Sequence, residues 1–307
     1  MIGEDVFNSL PSRLDNARQS IDLSTGESDG FGYLDGLRVT IKPSGISIKG
    51  SLSRFFYKDD NVGNLFTLDR HTTRQAIEKL SERLGFDVGC AKVRALEFGT
   101  YFMLREDVTK YLELMGAFPR LERVHYLPET LYYRHRGKQQ SKTLILYDKR
   151  KDSIAKNYHL PDGFTDSNIL KYELRLNGSL SKQIQWGEIT ASTLYDKEFY
   201  LRMIEIYKDM FHKIIKHRQM KQDSIKAIKS VGDAVEVLMA RLIIQSRTDI
   251  VGDYLEELKS NKVFGDRANY SRLKSKLESL TSRCKLTESN ELMEELNDCI
   301  TNVGISI

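Results

Sequence analysis

The sequence predicts an α+β fold, in which a largely antiparallel sheet with flanking helices is followed by an all-α C-terminal region. Segments that alternate between apolar and polar residues, joined by short turns, lie between residues 36 and 190. From about residue 195 the apolar residues recur at helical spacing, and no proline follows Pro161. We therefore expect a flexible N-terminal arm over 1–35, an α+β domain over 36–190 and a helical domain over 195–307.

The first elements follow from turn residues and periodicity. The stretch 24–36, STGESDGFGYLDG, is rich in Ser, Gly and Asp, which predicts an arm or a long loop. The alternating segments LRVTIK and ISIKGSLSRFFY flank a Pro-Ser-Gly turn and predict a hairpin. Residues 72–84 have helical spacing and precede Gly85, a residue type expected just past the end of a helix.

The remaining elements of the α+β part are four. The segments 91–104 and 168–178 alternate and predict strands, while 106–116 predicts a short helix that ends in glycine. A second hairpin is predicted where TLYYRHRG and KTLILYDK flank KQQS.

Composition limits the class of protein. The chain has 307 residues, of which 40% are hydrophobic and 29% charged, which is typical of a soluble globular protein. No apolar run approaches the roughly 18 residues of a membrane span, so no membrane partner is expected. Three cysteines without a CxxC motif argue against a disulfide framework or zinc site and favour a reducing cytoplasm. The net charge of +4 is compatible with nucleic acid but does not prove it.

Strand periodicity assigns side chains to the two faces of the sheet. One side of the strand 168–176 carries apolar side chains, and the other carries Ile169, Lys171, Glu173 and Arg175. If the strands are neighbours and their apolar sides share one core, the opposite face carries a charged and aromatic set: Glu97, Tyr147, Lys149, Lys171, Glu173 and Arg175.

Such a face has a recognisable chemistry. Two carboxylates from separate strands can share a hard divalent cation, which would withdraw charge from a phosphodiester. A tyrosine oxygen could attack the phosphorus, and lysine and arginine would stabilise the developing charge. Simpler interpretations remain open, because such charges also form solvated cross-strand pairs and a tyrosine at a strand end usually packs.

Four segments in order, ISIKGSLSRFF, AKVRALEFGTYFML, TLILYDKRKD and LKYELRL, carry a resemblance to a known family. Over residues 36–180 the chain resembles the replication initiators of filamentous phages and related phage plasmids. It is more distantly similar to the rolling-circle initiators of staphylococcal-type plasmids. The resemblance implies an enzyme that nicks one DNA strand at an origin, keeps the 5′ phosphate on a tyrosine and later rejoins the strand. It also implies a divalent metal, Mg²⁺ or Mn²⁺.

The resemblance also implies roles for individual residues. Tyr147 is the expected nucleophile and Lys149 its phosphate partner, with Glu97 and Glu173 as the expected metal ligands. Apart from the resemblance, the charge of the polar face makes Arg175 a further expected catalytic residue, and Lys171, Arg150 and Lys151 are expected to contact DNA. Asp148 is expected to cap a helix that begins at KRKDSIAKN.

Two features leave alternatives open. Tyr132, Tyr133 and Tyr172 are rival nucleophiles, although Tyr172 lies on the predicted core face. The His-x-His metal motif of many rolling-circle initiators does not occur in the sequence, which favours a carboxylate site.

The helical region begins with a basic segment, HKIIKHRQMKQDSIKAIK, at 212–229. As a helix, it would either track a DNA backbone or be a solvated basic helix. The expected DNA contacts within it are Lys213, Lys216, Arg218 and Lys221. The acidic stretch ESNELMEELNDC near the C-terminus suits a protein contact.

The expected function is that of a rolling-circle replication initiator in the cytoplasm of a bacterial host. Its expected partners are supercoiled and single-stranded origin DNA, with a host helicase and replication machinery as further candidates. The alternatives are a non-catalytic DNA-binding regulator or single-strand-binding protein on the same fold, and a structural protein with no DNA partner. The oligomeric state is left open.

Overall fold

A computed structural model describes residues 9–21, 24, 28–58, 66–135, 141–158, 160–217, 219–220, 225–226, 228–245, 250–282 and 287–304. The N-terminal part of the described chain contains two antiparallel sheets with helices, and a helical C-terminal region follows. The predicted α+β fold class is confirmed, although the sequence predicts one sheet where this part of the described chain has two. None of its described helices is long and apolar enough to cross a membrane.

The first sheet has four strands in chain order: β1 (Asp15–Ile21), β2 (Ser28–Leu34), β3 (Leu37–Lys42) and β4 (Gly45–Lys49). Strands β1 and β2 lie in the segment where the sequence predicts an arm or a long loop, so that secondary-structure expectation is corrected. Strand β2 forms because Asp35 and Gly36 make a tight turn that pairs it with β3. The φ angles of these two residues are positive, at 45° and 82°, as such a turn requires.

One face of the first sheet is covered by helices. The helices α1 (Leu52–Tyr57) and α2 (Arg70–Leu84) bury Phe55, Ile77, Leu80 and Leu84 against it. As predicted, α2 ends at Gly85, which adopts a φ of 79°.

The second sheet has the strand order β5-β9-β8-β7-β6. Helix α3 (Val108–Glu113) follows β5, α4 (Lys149–Ala155) follows β8, and α5 (Leu180–Ile184) follows β9. The strands are β5 (Ala95–Leu104), β6 (Glu122–Leu127), β7 (Thr130–Arg134), β8 (Lys142–Asp148) and β9 (Asn168–Asn177). The strands that carry the predicted polar face are therefore neighbours, which the face assignment required.

Two C-terminal helices cover the apolar face of the second sheet. Helix α6 (Lys197–His212) stacks Tyr207 on Tyr172 of β9, with their ring centres 4.2 Å apart. Each of these tyrosines also donates its hydroxyl to the other's backbone carbonyl, at 3.2 and 2.9 Å. Helix α10 (Glu291–Thr301) completes the same core with Met293, Leu296 and Ile300. The sequence change near residue 195 thus marks the end of the large sheet, while the hydrophobic core continues past it.

The other C-terminal elements form a smaller group. Helices α7 (Val231–Gln245), α8 (Ile250–Ser260) and α9 (Arg267–Ser282) surround the buried side chains of Ala240, Leu277 and Leu280. Two short strands, β10 (Gln219–Met220) and β11 (Thr287–Glu288), pair with each other in a region where the sequence predicts only helices.

Candidate active site on the polar face of the second sheet

The face opposite α6 gathers the predicted polar side chains from three adjacent strands. Glu97 of β5 lies directly across from Arg175 of β9, and Lys171 of β9 lies directly across from Tyr147 of β8. Glu173 lies between these two pairs along β9. The face therefore brings together the predicted nucleophile, both predicted metal ligands and the predicted catalytic arginine.

Hydrogen bonds and ion pairs link these side chains. The Tyr147 hydroxyl donates to Oε1 of Glu173 at 2.9 Å. The Arg175 guanidinium donates to Oε2 of Glu173 at 2.9 Å, and it also pairs with Glu97. The Glu173 carboxylate thus accepts a hydrogen bond from Tyr147 on one oxygen and from Arg175 on the other.

Gly99 makes room for this arrangement, a role that no sequence pattern predicts. It lies on β5 directly across from Glu173. A Cβ added to Gly99 would lie 3.0 Å from Cγ of Glu173 and 2.6 Å from the backbone oxygen of Tyr172. The close approach of β9 therefore requires glycine at this position.

The carboxylate pair is electrostatically strained in a way that suits a cation. Burial raises the pKa of Glu97, the charge of Glu173 raises it further, and Arg175 opposes both effects. A divalent cation held by Glu97 and Glu173 would relieve this repulsion. Within the described residues no three acidic, histidine or cysteine side chains cluster as a metal site. The two carboxylates are of the ligand type that a hard cation prefers, and such a cation would need further oxygen ligands from outside this pair.

Tyr147 is half-buried and keeps its proton. Burial and the adjacent Glu173 carboxylate raise the pKa of its hydroxyl far above the ordinary tyrosine value. Tyr147 would therefore lose its proton to Glu173 only if additional positive charge lay close to the hydroxyl.

Two buried lysines, Lys149 and Lys171, lie next to Tyr147. Lys171 is only 4% exposed, and burial lowers the pKa of its ammonium to about 8, with Glu173 opposing the shift. Burial also lowers the pKa of Lys149, whose Nζ lies 3.4 Å from Oδ2 of Asp152. Both lysines add charge to the Tyr147 environment, and both are buried.

Asp148 caps α4 as predicted. Its carboxylate accepts a hydrogen bond of 2.9 Å from the backbone N–H of Lys151. The Lys151 ammonium pairs with Asp107 at 3.2 Å, and Arg150 donates to the backbone carbonyl of Thr165. The first turn of α4 therefore places the Lys149 ammonium 6.0 Å from the centre of the Tyr147 ring. The next two cations, Arg150 and Lys151, contact other groups of the protein.

The rival tyrosines differ in position. Tyr133 is buried on the core side and donates to the Gly116 carbonyl at 2.8 Å, and Tyr172 is buried against Tyr207. Tyr132 lies on the polar face, across from Ile145, and is half-buried. Because Tyr132 shares the polar face, it remains a rival to Tyr147 as the predicted nucleophile. Tyr147 differs from it in donating a hydrogen bond to Glu173.

Helix α6 ends at His212, whereas the sequence predicts that the basic segment after it is also helical. The Ile215 N–H donates to the Ala117 carbonyl at 2.8 Å, and the His217 N–H donates to the Leu114 carbonyl at 2.7 Å. Backbone pairing of 215–217 with 114–117 takes the place of helical hydrogen bonds, so the helix prediction is wrong for 213–217.

Two lysines of this segment, Lys213 and Lys216, contact other groups of the protein. Lys213 pairs with Asp209, and the half-buried Lys216 donates to the Phe211 carbonyl and lies 4.3 Å from the centre of its ring. Two predicted DNA contacts, Arg218 and Lys221, lie outside the described residues.

Two side chains without a predicted role, those of Asp152 and Tyr158, lie near Lys149. Asp152 follows Lys149 by three residues on α4, a spacing that signals a helical ion pair. The Tyr158 ring lies 6.0 Å from the Lys149 ammonium and 5.9 Å from the Arg54 guanidinium. No sequence pattern connects Tyr158 with Arg54, because they come from different parts of the fold.

Comparison of the chain with protein-family models and with curated proteins finds no match.

Proposed function

We propose that this protein is a metal-dependent DNA nicking and joining enzyme that initiates rolling-circle replication through Tyr147. The observation that carries the proposal is the hydrogen bond from the Tyr147 hydroxyl to Glu173, on a face that also holds Glu97, Arg175 and Lys171. A nucleophile, a proton acceptor and cations within one side-chain layer suit transfer of a phosphodiester to a protein oxygen.

The proposed nicking step is a transesterification. The Tyr147 oxygen attacks the phosphorus of one DNA strand while its proton passes to Oε1 of Glu173. The bond between phosphorus and the 3′ oxygen breaks, and that oxygen takes a proton from water. The 5′ phosphate is then esterified to Tyr147, and the reverse reaction rejoins the strand.

The neighbouring side chains would stabilise this step. Arg175, Lys149 and Lys171 lower the energy of the negative charge that develops on phosphorus. Glu97 and Glu173 would hold a divalent cation, Mg²⁺ or Mn²⁺, which when bound would withdraw charge from the phosphodiester. The reducing cytoplasm of a bacterial host is the proposed location, and origin DNA is the proposed substrate.

The test is covalent capture. Supercoiled DNA of the cognate replicon, incubated with the protein and Mg²⁺ or Mn²⁺, should give nicked circles and a protein–DNA adduct that survives denaturing electrophoresis. Mass mapping should place the DNA on the peptide that contains Tyr147. Tyr147→Phe should abolish the adduct, whereas the matched Tyr132→Phe variant on the same face should retain it.

Other outcomes decide against parts of the proposal. An adduct that persists in Tyr147→Phe and disappears in Tyr132→Phe would make Tyr132 the nucleophile. DNA binding without nicking by the wild type would identify a non-catalytic DNA-binding protein.

A further inference from the structure

Strand β2 in the first sheet places its aromatic side chains away from the core. Gly30 and Gly32 face inward, where a Cβ on Gly32 would lie 2.7 Å from Cβ of Leu14. Phe31 and Tyr33 face the opposite side, and Tyr33 is 38% exposed. Antiparallel strands with one solvated face usually place apolar side chains inward and polar ones outward. The core therefore does not account for these two rings.

Cations surround the rings on this outer face. Arg18 of β1 lies directly across from Phe31, while Arg38 of β3 lies across from Tyr33 and from Lys49 of β4. The Arg38 guanidinium lies 4.9 Å from the centre of the Phe31 ring. Two carboxylates share the face, and one of them, Asp29, pairs with Lys42 at 3.1 Å. Four cations thus stand against two carboxylates: Arg18, Arg38, Lys42 and Lys49 against Asp15 and Asp29.

We propose that the outer face of the first sheet, defined by Arg18, Phe31, Tyr33, Arg38 and Lys49, binds single-stranded nucleic acid. Exposed aromatic rings on a sheet stack unpaired bases, and neighbouring cations hold the phosphates. The Gly-aromatic-Gly-aromatic order of β2 presents two such rings on one side.

The geometry favours a single strand over a duplex. Side chains two residues apart on a strand are separated by about 6.6 Å, roughly twice the 3.4 Å rise of stacked bases. The two rings therefore suit bases that have been pulled apart along an extended strand. In a duplex the faces of the bases are stacked on one another and could not reach Phe31 or Tyr33.

This inference rests on the proposed function only for the class of partner, nucleic acid. Binding at this face needs neither Tyr147 nor a metal, because the face belongs to the other sheet. The two proposals can therefore fail separately.

The test is fluorescence anisotropy of the full chain with a fluorescein-labelled oligothymidine of about 20 nucleotides in EDTA. Phe31→Leu and Tyr33→Leu, which keep an apolar side chain, should each weaken binding by about tenfold or more. Arg38→Gln should weaken binding and lower the salt slope by about one. Tyr254→Ala, at a 48% exposed tyrosine on α8, is the matched control and should bind as the wild type does.

Cross-linking and the behaviour of the variants decide the matter. Ultraviolet cross-linking should attach the oligothymidine to the peptide that contains Phe31 and Tyr33. Unchanged affinity in folded Phe31→Leu and Tyr33→Leu variants would overturn the inference. So would a change in their oligomeric state with unchanged affinity, because the face would then be a contact between copies of the chain. Tyr147→Phe should bind the oligothymidine normally, which separates this site from the nicking site.

Discussion

The Tyr147 hydroxyl and Oε1 of Glu173 lie 2.9 Å apart across the adjacent strands β8 and β9. The two residues are diagonal neighbours, because Tyr147 pairs directly with Lys171, two residues before Glu173. The sheet register therefore fixes a phenol against a carboxylate with a buried ammonium beside them. Each of these three groups supplies a test of the proposed site.

Glu173→Gln should slow nicking while leaving DNA binding intact. The amide preserves the shape of the side chain but is a far weaker proton acceptor for Tyr147. We expect the single-turnover nicking rate to fall by about 10²–10⁴-fold, the usual contribution of general base catalysis. The measurement is adduct formation over time with DNA in excess of its dissociation constant.

The matched control is Glu188→Gln, at an exposed glutamate that pairs with Lys92 at 3.5 Å. It should nick at the wild-type rate. A Glu173→Gln variant that nicks as fast as this control would remove Glu173 from the proton-transfer step.

Gly99→Ala should disturb the site through the backbone. The new methyl group would lie 3.0 Å from Cγ of Glu173, so β9 or the Glu173 side chain must move away. We expect a loss of about 1–3 kcal/mol in the free energy of unfolding, as for other overpacked positions. We also expect nicking to slow more than tenfold, because misplacement by about 1 Å can cost 10²-fold in rate.

Gly187→Ala is the control for this substitution, because a Cβ there would meet nothing within 4 Å. Urea denaturation and adduct formation should both match the wild type. Equal effects of the two substitutions would show that the space at Gly99 is not needed.

Lys171 predicts a pH-dependent stability. Burial lowers its pKa to about 8, so between pH 8 and 10 the unfolded chain binds more protons at this lysine than the folded chain. The free energy of unfolding should therefore rise with pH in this window, by at most about 1.4 kcal/mol per pH unit from this group. Above about pH 10 the sign reverses for Tyr147, because folding raises its pKa and the unfolded tyrosine loses its proton first.

Urea denaturation at several pH values between 8 and 10 should show a smaller slope for Lys171→Met than for the wild type. Some slope should remain, because burial also lowers the pKa of Lys216 to about 8. Lys259→Met, at an exposed lysine on α8, should leave the slope unchanged. An unchanged slope in Lys171→Met would mean that Lys171 is not held in a desolvated environment.

Glu97→Gln should weaken the response to divalent metal. Glu97 would supply one of two carboxylate ligands, and loss of one charge-assisted contact of about 1.5–3 kcal/mol corresponds to about 10–100-fold in affinity. The Mn²⁺ concentration that gives half-maximal nicking should rise by that factor. EDTA should abolish nicking by the wild type, and nicking at full rate in EDTA would contradict the metal role.

The sequence could predict the polar face because strand period 2 is a local property. Lys171, Glu173 and Arg175 share a face through alternation alone, whereas the addition of Tyr147 and Glu97 also required β8 and β5 to lie beside β9. The N-terminal cap at Asp148 was likewise predictable, because a cap bonds to an N–H three residues away.

Other features depend on contacts between distant segments. The basic segment 213–217 is not helical because its backbone pairs with 114–117, and no local sequence pattern predicts this long-range pairing. The Asp35-Gly36 turn was a local signal for a hairpin, but the Ser, Gly and Asp content around it suggested a loop instead. The burial of Lys171 likewise depends on the whole fold.

The Glu295 carboxylate attaches α10 to the end of β5 and to α3. The hydroxyl of the buried Tyr111 donates to Oε2 of Glu295. The backbone N–H of Arg105 donates to Oε1 of the same carboxylate at 3.0 Å. Burial and Glu295 raise the pKa of Tyr111 to about 12. Tyr111→Phe and Glu295→Ala should each lower the free energy of unfolding by about 1–3 kcal/mol, because each removes a hydrogen bond to a charged group.

The double variant should cost less than the sum of the single variants, because both substitutions break the same contact. Asp298→Ala, on the exposed side of α10, should change the free energy of unfolding by less than about 0.5 kcal/mol. Urea denaturation of the four variants measures this coupling. Additive losses would mean that Tyr111 and Glu295 stabilise the protein independently, and that the contact does not hold α10 on the core of the large sheet.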